Sequence, residues 1–188
     1  MTLNIIDIGM AIVMTAVIFI GRKEGLIAGL FKLFGIFCVI AITLHYYRGL
    51  AEFLRANVFG DKIETEFMSF VLLALPTALT FILICHGWIL ILRFKPLAMI
   101  DRWCGLILAL IRSYFVCGLL FVALVVSGNS FIVPRALTSL SKGVFGYAAV
   151  GFYGRLYASF IQRYFPGEKI NEHPFMAVSQ DPGKKAGR

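Results

Sequence analysis

The chain has 188 residues, of which 60% are hydrophobic and only 15% are charged, and its mean hydropathy is +0.86. A soluble domain carries about 25% charged residues, so this composition excludes a water-soluble globule and predicts an all-α integral membrane protein. The formal net charge is +8, with the basic residues placed between apolar runs rather than among base-stacking aromatics. We therefore expect these residues to set orientation and attract anionic lipid, and we expect no nucleic-acid partner.

The first predicted span covers residues 3–20, an apolar run that contains a single charge, Asp7. A run of about 18 to 20 residues is long enough to cross the hydrocarbon core. Asp7 lies near the start of the run, where an acid at headgroup level sits close to the positive end of its own helix dipole. The alternative is an intramembrane acid that pairs with a cation or relays protons.

Glycine recurs at a spacing of four in the next segment, at Gly21, Gly25 and Gly29. On a helix this spacing predicts one face that another backbone can approach closely; alternatively, Gly21 and Gly25 only form a turn. Lys32 is expected to extend its amine to the interface, so that the second span covers residues 33–48. The polar stretch that follows predicts an amphipathic surface helix over residues 49–59.

The third predicted span, residues 67–92, contains no charged side chain. It is longer than a bilayer requires, and Pro76 offers a kink that absorbs the excess. His86 is the one imidazole at membrane depth. With no acid beside it in sequence, we interpret it as a hydrogen-bonded packing residue rather than a proton carrier.

The fourth predicted span covers residues 103–127 and follows a short basic loop. Asp101 lies just before it and suits an N-cap, because its carboxylate can accept hydrogen bonds from the amides of the first turn. Arg102 completes the loop. Gly105 and Ala109 are four residues apart, which predicts a second small-residue contact face.

Arg112 lies inside the fourth span, about 14 Å along the helix. An arginine at mid-helix costs about 2.5 to 3.5 kcal/mol even on translocon scales, so we expect a partner or a water-filled surrounding. An antiparallel neighbour could offer Asp7 or Glu24 as that partner.

The last part of the chain predicts a basic, tyrosine-rich helix over residues 144–165 that lies in the membrane interface. A fifth span is the alternative, but it would place Arg155 in mid-bilayer. Residues 166–188 contain few large apolar side chains, which predicts a disordered tail after a membrane domain of residues 1–165. Both termini are expected outside the cytoplasm, because the short connections between spans one and two and between spans three and four are dense in Lys and Arg.

Three parts of this pattern carry a resemblance: the early acid Asp7, the glycine–basic–glycine connection at residues 21–25, and the segment IDRWCGLILALIR. The segment is similar to Asp–Arg–x–x–Gly–x–x–x–Gly–x–x–Arg, matched at Asp101, Arg102, Gly105 and Arg112. Together they resemble the colicin V production protein family (CvpA), small four-span proteins of the bacterial inner membrane. Ala109 departs from the second glycine, and Glu24 puts an acid where the family tends to be basic. The resemblance covers roughly residues 3–165.

The resemblance implies a bacterial inner-membrane protein with a role in toxin biosynthesis, as a support of colicin V production or export, and in envelope homeostasis. It carries no catalytic residue and no cofactor. The residues themselves show no nucleophile with a base, no phosphate loop and no metal-ligand cluster, so we expect no enzyme. Four cysteines without paired spacing predict packing thiols. The expected partners are the lipid bilayer and either further copies of the chain or other inner-membrane proteins.

Two mechanisms remain open from the residues. The first is a scaffold that acts through helix contacts at the two small-residue faces, Gly21/Gly25/Gly29 and Gly105/Ala109. The second is a small oligomeric channel or transporter in which Asp7, His86 and Arg112 line a polar path.

Overall fold

A computed structural model of the chain describes residues 4–22, 25–57, 62–91, 98–129, 131–164 and 169–179. Every element in these ranges is helical. Four long helices come first: α1 (Ile5–Gly21), α2 (Leu26–Asn57), α3 (Lys62–Ile91) and α4 (Ala98–Val126). Shorter helices follow: α5 (Ile132–Thr138), α6 (Tyr147–Leu156), α7 (Gln162–Tyr164) and α8 (His173–Ser179), with π-helical turns at Lys142–Gly146 and Tyr157–Ile161 on either side of α6.

Asn4 sets the beginning of α1. Its side chain accepts a hydrogen bond from the amide of Ile5 at 3.0 Å, and the carboxylate of Asp7 accepts one from the amide of Asn4 at 2.8 Å. This reciprocal capping box satisfies amides that a helix N-terminus otherwise leaves unpaired. From this cap the helix extends over 17 residues and ends at Gly21.

Helix α2 differs from the prediction at both ends. It begins at Leu26 rather than at residue 33, and it continues without interruption to Asn57, so residues 49–57 are the end of one long helix and not a separate surface helix. Residues 58 and 59 lie outside the described ranges. The run from Ala51 to Arg55 consists mostly of good helix formers, and the ion pair from Arg48 to Glu52 at 3.7 Å supports a continuous helix.

Helix α4 is the central element of the bundle. It packs against α1, α2 and α6, while α3 packs mainly against α2. Half of the most apolar 18-residue window of α4 is buried, against 11% for α3. The helix begins at Ala98, so Asp101 lies within its first turn and the N-cap prediction for Asp101 is wrong.

Three of the helices, α2, α3 and α4, contain stretches long and apolar enough to cross a membrane, and α1 is a shorter apolar helix. The outer surface of this bundle is apolar as well. Exposed large side chains occur on all four helices, among them Ile12, Leu30, Leu75, Leu83 and Ile107. Apolar patches of this extent on a protein surface indicate contact with lipid or another apolar partner.

The predicted helix over residues 144–165 is present as a helical stretch from Lys142 to Tyr164, and it packs on the bundle. Ala149, Val150 and Tyr153 of α6 are buried. A Cβ added at Gly118 of α4 would lie 2.8 Å from Cβ of Ala149, so α4 and α6 approach each other closely there.

The predicted disordered tail is wrong for residues 169–179. Helix α8 docks on the bundle and buries Pro174, Ala177 and Val178. Residues 166–168 and 180–188 lie outside the described ranges. Helix α8 is short and only moderately apolar, so the composition of this segment did not predict that it would be buried. The apolar contacts that bury it come from the packed bundle.

Candidate functional site

Gly21, Gly25 and Gly29 do not share one helical face as predicted, because α1 ends at Gly21 and α2 begins at Leu26. Gly21 and Gly29 instead approach α4 from two different helices. A Cβ added at Gly21 would lie 2.5 Å from Cβ of Ala109, a distance that real Cβ atoms do not reach. A Cβ at Gly29 would lie 3.1 Å from the Leu108 side chain on the same helix, α4. Gly25 precedes α2, where its carbonyl accepts a hydrogen bond from the amide of Gly29 at 2.9 Å. Gly105 is buried one turn nearer the start of α4 than Ala109.

Arg112 lies beside this contact. The same Cβ at Gly21 would lie 3.0 Å from Nη2 of Arg112, which places the guanidinium next to the last residue of α1. The C-terminal end of a helix carries partial negative charge, so it favours a cation there. Arg112 also lines a cavity of about 320 Å³ between α1, α2, α3 and α4, together with Lys32.

Asp7 lies at the opposite end of α1. Its carboxylate accepts hydrogen bonds from the amide of Ser141 at 2.8 Å and from the Ser141 hydroxyl at 2.5 Å, in addition to the amide of Asn4. Fourteen residues separate Asp7 from Gly21, which is about 21 Å along a helix. Asp7 as the partner of Arg112 is therefore wrong. Glu24, the other candidate, lies outside the described ranges.

The remaining predicted residues are His86, Asp101 and Arg102. His86 is exposed on α3, and its Nδ1 lies 3.4 Å from the carbonyl of Ile82 in the same helix. Asp101 and Arg102 belong to the first turns of α4, and the positions of their side chains lie outside the description. Asp7, His86 and Arg112 do not come together in one group.

A polar network that the sequence analysis missed holds the segment of α8 on the bundle. The Tyr47 hydroxyl and Nδ1 of His173 share a hydrogen bond of 2.6 Å, and Nε2 of His173 lies 3.7 Å from Oε2 of Glu66. The side-chain amide of Asn171 donates to the carbonyl of Leu44 at 2.8 Å. Tyr47 is fully buried, so its hydroxyl needs this partner.

A second tyrosine extends the network to α6. The Tyr153 hydroxyl accepts from the amide of Asn171 at 3.2 Å and lies 2.9 Å from Nδ1 of His45. Residues from α2, α3, α6 and the α8 segment thus meet at one end of the bundle, the end opposite Gly21. The one signal in the sequence is the run of a histidine and two tyrosines at residues 45–47 near the end of the second predicted span.

Replacing Tyr47 by Phe is expected to weaken the docking of residues 169–179. The change removes one hydroxyl and leaves His173 without that hydrogen bond, which costs about 1 kcal/mol. Limited proteolysis of the detergent-solubilised chain should then cleave this segment faster. The matched control is Tyr46→Phe, because Tyr46 is 52% exposed one residue earlier. Equal cleavage rates for the two variants would contradict a role of the hydrogen bond between Tyr47 and His173 in docking this segment.

Comparison with known proteins identifies one match, to a family model. None of the curated proteins and none of the solved structures matches this chain. The family model of the colicin V production protein matches residues 6–142, which is most of the chain and includes α1 to α5. The matched region contains the contact of Gly21 with Ala109 and the cavity at Arg112. The chain therefore belongs to the colicin V production protein family.

Proposed function

We propose that this chain is a multi-pass protein of the bacterial inner membrane that supports colicin V production and secretion, together with envelope homeostasis, as a non-enzymatic helix-packing scaffold. Helix α1 is the proposed fourth span. Its 17 residues extend about 26 Å, within the range that short spans cover. The lipid bilayer covers the apolar outer surface, and copies of the chain or other inner-membrane proteins are the proposed protein partners.

The observation that carries the scaffold proposal is the close backbone contact of α4 with its neighbours on two sides. Gly21 of α1 lies against Ala109, and Gly118 lies against Ala149 of α6. Contacts of this kind hold apolar helices together in lipid, where the hydrophobic effect between helices is weak. Polar side chains reinforce the same arrangement, because Asp7 binds Ser141 and Tyr47 binds His173 across different segments.

The channel alternative is less well supported by the geometry. A conducting path needs its polar groups along one route through the bundle. Asp7 and Arg112 lie at opposite ends of α1, and His86 is exposed on α3. We therefore favour the scaffold.

Replacing Gly118 by Ala tests the scaffold. The added Cβ would lie 2.8 Å from Cβ of Ala149 and 2.9 Å from the carbonyl of Phe145, so overpacking should cost about 1 to 2 kcal/mol. Colicin V activity in the culture supernatant should fall in cells whose own copy is replaced by this variant. Gly151→Ala on α6 is the matched control, because nothing lies within 4 Å of a Cβ at Gly151.

A flux measurement on the purified chain distinguishes a scaffold from a transporter. The purified wild-type chain in proteoliposomes should show no ion flux above that of empty vesicles. Flux that a folded Arg112→Gln variant abolishes would overturn the scaffold proposal in favour of transport. Full colicin V export by Gly118→Ala, at unchanged protein level, would contradict the importance of the α4–α6 contact.

A further inference from the structure

The cavity between the four long helices has two basic side chains on an otherwise apolar wall. Lys32 and Arg112 are the charged residues among its lining, and the rest of the lining includes Val17, Val39, Ala78 and Val116. Its volume of about 320 Å³ is at the lower end of the range for small-molecule sites. The scaffold proposal assigns no role to two cations on such a wall.

The two cations lie at the same depth, near the connection between α1 and α2. Gly21 is the last residue of α1 and Gly29 lies in the first turn of α2, and both contact the region of α4 around Ala109. Lys32 is three residues beyond Gly29, and Arg112 is three residues beyond Ala109, so each lies about 5 Å past these contacts. Lys32 is then about 9 Å past Leu26, the first residue of α2. This depth corresponds to the boundary between headgroups and acyl chains when the polar connection lies in the headgroup layer.

Beyond the cations the cavity continues into apolar surroundings. Val39 is seven residues past Lys32 on α2, about 10 Å deeper along the helix, and Val116 is one turn past Arg112. The cavity thus has a basic end toward the connection and an apolar end toward the middle of the bundle. A ligand that fits both ends is an amphiphile with an anionic head.

The cavity opens to the outer surface of the bundle. Ile20 and Ile82 both line it, and they are 63% and 47% exposed. An acyl chain can enter between such side chains from the surrounding lipid without crossing a polar barrier. An inorganic anion would satisfy the basic end but leave the apolar end without contacts.

We propose that this cavity is a binding site for an anionic phospholipid, with its phosphate held by Lys32 and Arg112 and one acyl chain in the apolar part. Guanidinium and ammonium groups form strong, charge-assisted hydrogen bonds to phosphate oxygens. Basic pockets between membrane helices are known to receive anionic lipid headgroups. The site stands on the cavity and its charges and is independent of the scaffold proposal.

The test measures lipid binding to the full chain in dodecyl maltoside by native mass spectrometry, with dioctanoyl phosphatidylglycerol and dioctanoyl phosphatidylcholine as probes. Loss of both charge-assisted contacts in Lys32→Gln/Arg112→Gln should reduce the preference for phosphatidylglycerol by at least about tenfold. The control Arg155→Gln/Arg163→Gln removes the same two charges from exposed positions. It should keep the preference within about twofold, because exposed charges are screened.

A second variant tests the apolar end and does not depend on how the double variant folds. Ala78→Phe fills that end with an apolar side chain and leaves both cations in place, so thermal unfolding should remain cooperative while phosphatidylglycerol binding is lost. A folded Ala78→Phe chain that binds this lipid like the wild type would overturn the proposal. So would wild-type-like preference in the Lys32/Arg112 double variant, or thermal stabilisation by inorganic phosphate as large as that by phosphatidylglycerol.

Discussion

Leucine in place of Gly21 is expected to separate α1 from α4 and to destabilise the bundle by about 3 kcal/mol, the upper part of the usual range for overpacking. The Cβ alone would lie 2.5 Å from Cβ of Ala109 and 3.0 Å from Nη2 of Arg112. The flexible arginine can move, but Ala109 is carried rigidly by the backbone of α4. The remaining leucine carbons then have no space, because Gly21 is buried.

The measurement for this variant is unfolding of the purified chain in mixed micelles of dodecyl maltoside and SDS. Gly9→Leu is the matched control, because it makes the same change in the same helix at a site where a Cβ would meet nothing within 4 Å. Its stability should be unchanged or slightly higher, since glycine inside a helix costs about 0.5 to 1 kcal/mol relative to alanine. Equal unfolding midpoints for Gly21→Leu and Gly9→Leu would contradict the close contact of Gly21 with Ala109.

Asparagine in place of Asp7 is expected to cost about 2 to 4 kcal/mol, because it disturbs a helix cap and a long-range tether together. Both carboxylate oxygens accept hydrogen bonds, Oδ2 from the amide of Asn4 and Oδ1 from the amide and hydroxyl of Ser141. The amide side chain of asparagine can present an oxygen to only one of these sides. The other side then faces an NH₂ group, which is a donor placed against a donor.

The unfolding assay for Asp7→Asn should be accompanied by amide hydrogen exchange at Ser141. Exchange there should accelerate, because the amide has lost its charged acceptor, while amides in the middle of α4 should change less. Ser141→Ala is the graded control: it removes the hydroxyl but keeps the backbone hydrogen bond, so it should cost about 1 kcal/mol. If Asp7→Asn were as stable as the wild type, the hydrogen bonds between Asp7 and Ser141 would contribute nothing to the free energy of unfolding.

The sequence by itself predicted a helical chain and the approximate positions of its four long helices, and the described residues confirm both. Long apolar runs predict helices because each backbone group then finds its partner inside the same segment, whatever the rest of the chain does. The spacing of Gly21, Gly25 and Gly29 did not correspond to one helical face, because a helix ends at Gly21 and the next begins at Leu26, and the contact of Gly21 with Ala109 emerged only from the packing. The family resemblance also depended on linear order, and the family match over residues 6–142 confirmed it.

Only the tertiary structure decided where the polar groups lie and what they contact. Counting along α4 suggested that Arg112 lies deep in the bundle. Its depth depends on where α1 ends beside it, and Arg112 is about one turn past Ala109, the residue that contacts the last residue of α1, Gly21. Asp7 found Ser141, a residue 134 positions away, instead of a basic side chain. Partners so far apart in sequence depend on how separate helices pack, and hydropathy patterns carry no information about that.

The docking of α8 shows the same division between local pattern and packing. Residues 169–179 are too polar and too short to predict an ordered segment from composition. They are ordered because Tyr47, Tyr153 and Glu66, contributed by α2, α6 and α3, offer them hydrogen bonds and apolar contacts at one end of the bundle. That receiving surface exists only after the helices have packed, so the sequence determined the parts while the packed bundle determined which of them meet.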